Sequence, residues 1–384
     1  MKVLVLGAGL VGGPIAADLA KEDRFEVGIA DISGEALARV GSKYSVETIL
    51  KDLSDPETVR ELVTGYDFVI SAVPGDIGFR TFKAVIEAGK RIVDIAFFPE
   101  DPFQLSELAL KQKVTAVMDC GVAPGMSNIL TGYVDQLLDK TETAAIYVGG
   151  LPEKRDWPYE YKAVFSPADV LEEYTRPARI VENGEIVIKP ALTETEIIDF
   201  PPVGDLEAFN SDGLRTLAAT INGMNMKEKT LRYPGHVEKM LVLRETGFFS
   251  KKEIEINGVK IRPLDFTSRL LFPKWKLKEG DIDLTVMRII IEGEKDGNRM
   301  RYTYDLFDRF DEKTGIHSMA RTTGYTATVV LRMIADGVYD RPGVSPPEYI
   351  GRSGKCVEYI LAGLKERGIE YREKIEILTG SADQ

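Results

Sequence analysis

Lys2-Val3-Leu4-Val5-Leu6-Gly7-Ala8-Gly9-Leu10-Val11-Gly12 is the stretch that decides the fold. Lys2–Leu6 reads as a short buried strand, and an amphipathic helix starts at Val11 and runs to Lys21. Between them lies a Gly-x-Gly-x-x-Gly turn, the context a dinucleotide fingerprint requires. Gly7 permits the tight turn, Gly9 lets the backbone approach a pyrophosphate, and Gly12 lets the helix pack on the strand. Leu10 and Val11 complete the loop, and the helix N-terminus faces the phosphates. Glycines also end strands for purely structural reasons, so the second half of the signal matters. Asp31 closes the next strand, Phe25–Ala30, 19 residues after Gly12. An acid there holds a ribose 2′-hydroxyl and repels a 2′-phosphate, which favours NAD over NADP.

Outward from this unit the chain alternates. Strands are expected at Val46–Leu50, Asp67–Val73, Arg91–Ala96 and Val114–Cys120, with helices between them. Ser54-Asp55-Pro56-Glu57 is a helix start, with a capping oxygen, a first-turn proline and an early acid. Six strands in this rhythm predict an α/β fold, a Rossmann doubly wound parallel sheet. Asp52 ends the third strand, where adenine is often met or where it is simply surface. Ala72-Val73-Pro74 ends the fourth, where small residues admit the nicotinamide ribose or make a plain turn.

The middle of the chain reads differently. Asn257-Gly258 and Asp296-Gly297 each sit between strand-like runs and mark hairpins. Consecutive antiparallel strands predict a second α+β domain with a mixed or antiparallel sheet. The expected organisation is residues 1–125 for cofactor binding, 126–316 for substrate binding and dimerisation, and 317–384 as C-terminal helices returning to the first domain. Ser381–Gln384 reads as a frayed tail.

Composition narrows the function. The 384 residues are 44% hydrophobic and 29% charged, as in a folded globular chain. No apolar run reaches the roughly 18 residues a membrane span needs. No secretory leader is visible either, which predicts a cytoplasmic protein. A net charge of −12 without a basic block argues against nucleic acid. Two cysteines and two histidines are too few for a zinc site, so no metal is expected.

Asp119-Cys120-Gly121-Val122-Ala123-Pro124-Gly125-Met126-Ser127-Asn128 follows the sixth strand at the carboxyl edge of the sheet. With it come the fingerprint and Asp94–Glu100, then Tyr147–Pro152 and Glu173–Arg179. Phe209–Arg215, Thr230–His236 and Ala320–Tyr325 complete the series. In this order the chain resembles the saccharopine dehydrogenase family. The resemblance implies NAD, a homo-oligomer (dimer or tetramer) with contacts in the second domain, and an amino-acid substrate held between the domains. Within the family it points to oxidative deamination of the ε-amino group of L-lysine, giving 2-aminoadipate 6-semialdehyde and ammonia. The middle domain looks shorter than in the saccharopine-oxidising branch, and Phe97-Phe98 stand where that branch is more polar. Saccharopine oxidation and non-catalytic NAD binding are the alternatives.

Roles follow from chemistry. A guanidinium binds an α-carboxylate bidentately, and Arg215 and Arg232 stand inside family motifs as candidates, or as structural ion pairs. Asp119, placed at the topological switch point, holds or deprotonates an amine, or caps the following turn. Asp94 is placed to do the same or to orient local backbone. His236 has the pKa range of a proton shuttle and is otherwise structural. Tyr233 and Thr323 line the pocket or simply pack.

Overall fold

The computed structural model describes residues 1–378; the tail expected at Ser381–Gln384 lies outside the described residues. The chain forms two compact units. One comprises Met1–Gln136 and Ala320–Glu370; the other comprises Leu137–Met319 and, among the described residues, the stretch 371–378.

The first unit is built on a parallel sheet. Its strands are β1 (Lys2–Leu6), β2 (Glu26–Asp31), β3 (Glu47–Leu50), β4 (Phe68–Ser71), β5 (Arg91–Asp94) and β6 (Thr115–Val117). A seventh, Gly343–Ser345, pairs in parallel with β6. The sheet order runs from Gly343–Ser345 through β6, β5, β4, β1 and β2 to β3. Val3–Leu6 are fully buried, as a strand covered on both faces demands. Helices run between successive strands: Gly12–Leu19, Gly34–Gly41, Pro56–Val63, Gly75–Glu87 and Ser106–Gln112. Asp55 caps the third of these, accepting from the Glu57 and Thr58 amides, so the expected start signal operates as read. The order reverses between β1 and β4, which makes their carboxyl ends the topological switch point.

Three expectations need correction. The parallel sheet has seven strands, because Gly343–Ser345 is too short to show in the sequence. The first unit extends past residue 125, since the helix Met126–Leu137 is part of it almost to its end. The stretch 317–384 does not stay helical: Tyr371–Ile377 is a strand that pairs antiparallel with Asn298–Arg309 of the second unit. Its charged residues hide the pattern, because an edge strand needs little apolar surface.

The second unit carries a mixed sheet. β7 (Lys140–Pro152) lies between β12 (Asn225–Arg232), to which it is parallel, and Asp283–Lys295, to which it is antiparallel. β11 (Gly204–Asn210) pairs with β12 and with β10 (Glu196–Phe200), while β8 (Ala178–Glu182) and β9 (Glu185–Lys189) form a branch beside β12. The strands Asp283–Lys295 and Asn298–Arg309 turn at Asp296-Gly297, both left-handed, as the hairpin signal requires. Among the described residues, no helix is long and apolar enough to cross a membrane.

Candidate functional site

The glycine turn is shaped by lack of room on two sides and by space on the third. A side chain at Gly7 would strike the Ala72 carbonyl, and one at Gly12 would overlap the Gly7 carbonyl. Gly9 has nothing within 4 Å of the place a Cβ would take. The first and third glycines therefore close the turn, and the second leaves an open backbone approach. Leu10 beside it is exposed and Val11 half-buried. The helix Gly12–Leu19 has no acid in its first turn to compete for an anion.

Asp31 is tied into this turn. One carboxylate oxygen accepts from the Ala8 amide at 2.6 Å and the other from the Ser33 amide at 2.7 Å. The carboxylate is thus fixed at the end of β2, beside the open glycine. These residues fit a dinucleotide: an uncrowded backbone cradle, a helix N-terminus, and an acid one strand away.

The lesser candidates divide. Asp52 is exposed and accepts from the Ser54 amide, a bond that lowers its pKa. It acts as a loop cap. Ala72 donates its amide to the Leu6 carbonyl, Val73 is buried in the core, and Pro74 is exposed just before the helix Gly75–Glu87.

Asp94 and Asp119 converge on one place. Both are buried, and their charges, together with burial as the main cause, push the Cys120 thiol far up. Cys120 is therefore packed and unreactive. The Asp94 side chain accepts from the Ala96 amide at 3.0 Å, and its carbonyl accepts from Cys120. Asp119 is left-handed at φ +51°, an unusual state for a residue with a Cβ. It does not sit at the switch point as expected: β6 ends at Val117, two strands away from β4. Thr323 is half-buried against the same turn, with its methyl 3.2 Å from where a Cβ on Gly121 would stand. Phe98, by contrast, is core, packed on Phe79 and Phe82. Its apolar character reports folding, so it carries no information about the substrate.

In the second unit the predicted residues separate into two groups. Arg232 is buried on β12, donates to Glu173 at 2.5 Å and to the Leu231 carbonyl, and stacks on the Tyr161 ring at 4.6 Å. Burial opposes its charge, but Tyr174, Tyr161 and Glu173 more than reverse this. Nothing in this arrangement leaves the guanidinium reaching outward, and a structural ion pair describes it. His236 is fully buried with both ring nitrogens engaged, Nδ1 with the Tyr159 carbonyl at 2.8 Å and Nε2 with the Tyr174 hydroxyl at 2.9 Å. The carbonyl can only accept, so Nδ1 carries the hydrogen and Nε2 receives the phenol's. Burial, then the charge of Arg232, pushes the imidazole down to about 3. It is neutral and anchored, which suits a structural post better than a shuttle. Tyr233 donates to the Pro152 carbonyl at 2.9 Å and is likewise core.

Arg215 belongs to the other group. It lies in the turn after β11, left-handed at φ +51°. Its neighbour is Arg176, at the end of the helix Pro167–Thr175. Burial, and next the charge of Arg215, lower the Arg176 pKa. Arg176 is half-buried and lies 3.7 Å from Glu172, so carboxylates already answer part of this positive charge. The turn itself is clamped: Arg179 grips Asp212 with a bidentate pair at 2.8 and 2.7 Å. Sequence reasoning missed Arg176, although it lies inside the quoted segment Glu173–Arg179. It also missed Glu228, a buried carboxyl on β12 that no motif marks.

Comparison with known proteins agrees with this architecture. Residues 3–117 match the model of the saccharopine dehydrogenase NADP binding domain, and residues 121–369 match that of the saccharopine dehydrogenase C-terminal domain. The mouse mitochondrial alpha-aminoadipic semialdehyde synthase is 26% identical over 70% of this chain, which spans only 31% of that protein's length. The glutamate-forming, NADP(+) saccharopine dehydrogenase of Schizosaccharomyces pombe is 24% identical, covering 97% of this chain and 98% of its own. The apo saccharopine dehydrogenase (L-Glu forming) of Saccharomyces cerevisiae superposes with a TM-score of 0.80 at 20% identity, over 98% of this chain and 99% of that one, so the fold is shared. With both domain models matched in order along most of its length, the chain belongs to the saccharopine dehydrogenase family.

Proposed function

We propose that the protein is an NAD-dependent dehydrogenase that oxidatively deaminates the ε-amino group of L-lysine. The observation that carries the dehydrogenase reading is the open Gly9 backbone with the Asp31 carboxylate fixed beside it. That carboxylate also supports NAD, although the matching domain model bears the name NADP, because it would repel a 2′-phosphate. When bound, NAD supplies the hydride acceptor, so the amine-bearing carbon is oxidised to an imine that water hydrolyses to aldehyde and ammonia.

The chain's own residues bind, orient and move a proton. Arg215 is our candidate for binding a carboxylate. Asp119 or Asp94 holds the substrate ammonium and takes its proton. We leave His236 out of the proton path, because its two ring nitrogens are engaged by the Tyr159 carbonyl and the Tyr174 hydroxyl. Lysine is favoured over saccharopine because the alignment with the fission-yeast enzyme runs over 452 residues, whereas this chain has 384. The relative carries segments that this chain lacks, and a substrate with one carboxylate asks less of the protein than one with three. The names of the relatives favour a second reading, saccharopine oxidation on the same scaffold.

NADH formation by the purified protein with L-lysine as sole substrate, at mildly alkaline pH, tests the proposal. Turnover with stoichiometric ammonia supports it. Turnover only with saccharopine, releasing glutamate, selects the second reading. NAD binding with no turnover of either amine would make the protein a non-catalytic binder.

A further inference from the structure

The segment Ala320–Tyr325 carries a buried glycine, Gly324, inside the helix Ser318–Ala335. Glycine weakens a helix interior relative to alanine. Gly324 is not among the left-handed glycines, so backbone conformation does not require it. Space does. A Cβ on Gly324 would stand 3.0 Å from Ile15 Cγ1, 3.4 Å from Val11 Cγ1 and 3.6 Å from the Val11 carbonyl oxygen. Val11 is the last residue of the loop before Gly12 and the N-cap of the helix Gly12–Leu19. These residues all belong to the first unit.

The same face of Ser318–Ala335 holds the far end of Gly12–Leu19. Gly324, Thr328 and Arg332 recur every four residues, so they form one ridge of the helix. One oxygen of the buried Asp18 accepts from the Thr328 hydroxyl at 2.7 Å and from Arg332 at 2.8 Å. Arg332 also donates to the Asp18 carbonyl at 3.0 Å. Arg367, just past the helix Gly354–Glu366, donates to the same carboxylate oxygen at 2.9 Å. Burial opposes the charge of Asp18, but Arg332 and then Arg367 outweigh it and hold its pKa below the ordinary value.

Ser318–Ala335 has no room to retreat. Val329 lies about 140° around that helix from Gly324, at 100° per residue. There it meets Gly363, where a Cβ would stand 2.8 Å from Val329 Cγ1. One end of Gly12–Leu19 is thus pinned through Asp18, and the helix behind it is fixed. The part that can yield is the first turn, with the open Gly9 and the exposed Leu10 before it.

We infer that Gly324 is a positioning residue for the dinucleotide: its bare backbone is the stop against which Val11 and Ile15 rest, and it sets where the first turn of Gly12–Leu19 meets the pyrophosphate. This rests on reading Gly7–Gly12 as the dinucleotide site. Gly324 acts through Val11 and Ile15, not through a contact of its own with the cofactor.

The test is fluorescence titration of NADH and of NADPH into the purified full-length protein, with a thermal melt of each unliganded sample. Gly324→Ala is expected to raise the Kd of the preferred nucleotide about fivefold, a modest part of what an ångström of misplacement can cost. Its Tm should not fall, because alanine favours a helix more than glycine does. A general loss of packing would lower affinity and Tm together, whereas a displaced cradle lowers affinity alone. The double variant Gly324→Ala/Ile15→Ala removes the atom that the new methyl meets. It should bring Kd back to within about twofold of wild type, although truncating a buried isoleucine lowers Tm. If Gly324→Ala melts lower as well, the double variant decides: restored affinity upholds the inference, and affinity left weak overturns it. An unchanged Kd in Gly324→Ala also overturns it. If the wild-type protein binds neither NADH nor NADPH, the dinucleotide reading itself fails and the inference falls with it.

Discussion

The Asp31 carboxylate accepts the Ala8 amide hydrogen at 2.6 Å, so the end of β2 and the glycine turn after β1 are one rigid piece. Cofactor choice and turn geometry are consequently coupled. Asp31→Ala should weaken NAD binding about 10- to 100-fold, the range for losing a hydrogen bond to a charged group. The wild-type protein should prefer NAD to NADP in kcat/KM, and the variant should narrow that ratio. A wild-type preference for NADP would refute the role given to Asp31.

Arg215→Ala should raise KM for L-lysine more than it lowers kcat, with NAD affinity unchanged. Arg232→Ala should behave differently, because it removes a buried ion pair with Glu173 at 2.5 Å. Breaking a buried pair costs about 3–5 kcal/mol, so its defect should appear first as a lower melting temperature. Thermal melts and kinetics on the same samples separate the two classes.

Asp119→Asn and Asp94→Asn distinguish the proton acceptor. The one that receives the amine's proton should lose kcat by about 10²- to 10⁴-fold, in the range for general base catalysis. The other should lose mainly stability. Activity should rise from neutral toward alkaline pH as the substrate amine deprotonates; a flat profile would count against that step as controlling.

His236 is held at about 3, against an ordinary value near 6.5. A depressed histidine stabilises the fold above its unfolded pKa and loses that contribution as pH falls toward the folded value. The stability advantage of the wild-type protein over His236→Gln should therefore shrink between pH 6.5 and 4, by up to about 1.4 kcal/mol per pH unit. Urea midpoints across that window measure it. The activity profile from pH 6 to 9 should keep its shape in the variant, since His236 does not titrate there.

Glu228 gives the opposite slope. Its carboxyl titrates at about 8 when folded, so its stabilising protonated state is complete below the unfolded value near 4.3 and is lost as pH rises through 8. The melting temperature of the wild-type protein should fall more between pH 6 and 9 than that of Glu228→Gln. Equal slopes would show that the carboxyl is already ionised at pH 6.

The legible parts of this molecule are those where local chemistry dictates geometry. Gly7, Gly9, Gly12 and Asp31 could be placed because a turn that must close and also admit a ligand leaves few residue choices. The Asn-Gly and Asp-Gly hairpins were readable for the same reason. Arg232, His236 and Tyr233 stayed open between site and scaffold because reactive side chains in a family motif look alike in sequence whether they face a substrate or one another. That Arg232 is held by Glu173 and the Leu231 carbonyl shows only in the folded chain. Gly343–Ser345 and Tyr371–Ile377 were hidden because a three-residue strand has no periodicity and an edge strand tolerates charge.

The interleaving of the two units bears on synthesis. Gly343–Ser345 of the first sheet is made only after the whole stretch Leu137–Met319 has been synthesised, and the edge strand Tyr371–Ile377 of the second sheet is made later still. Neither sheet can be completed while the nascent chain is short. A release factor acting early, or a protease cutting between residues 346 and 370, would leave the second sheet without its last strand and expose the flank of Asn298–Arg309 to pairing with another chain.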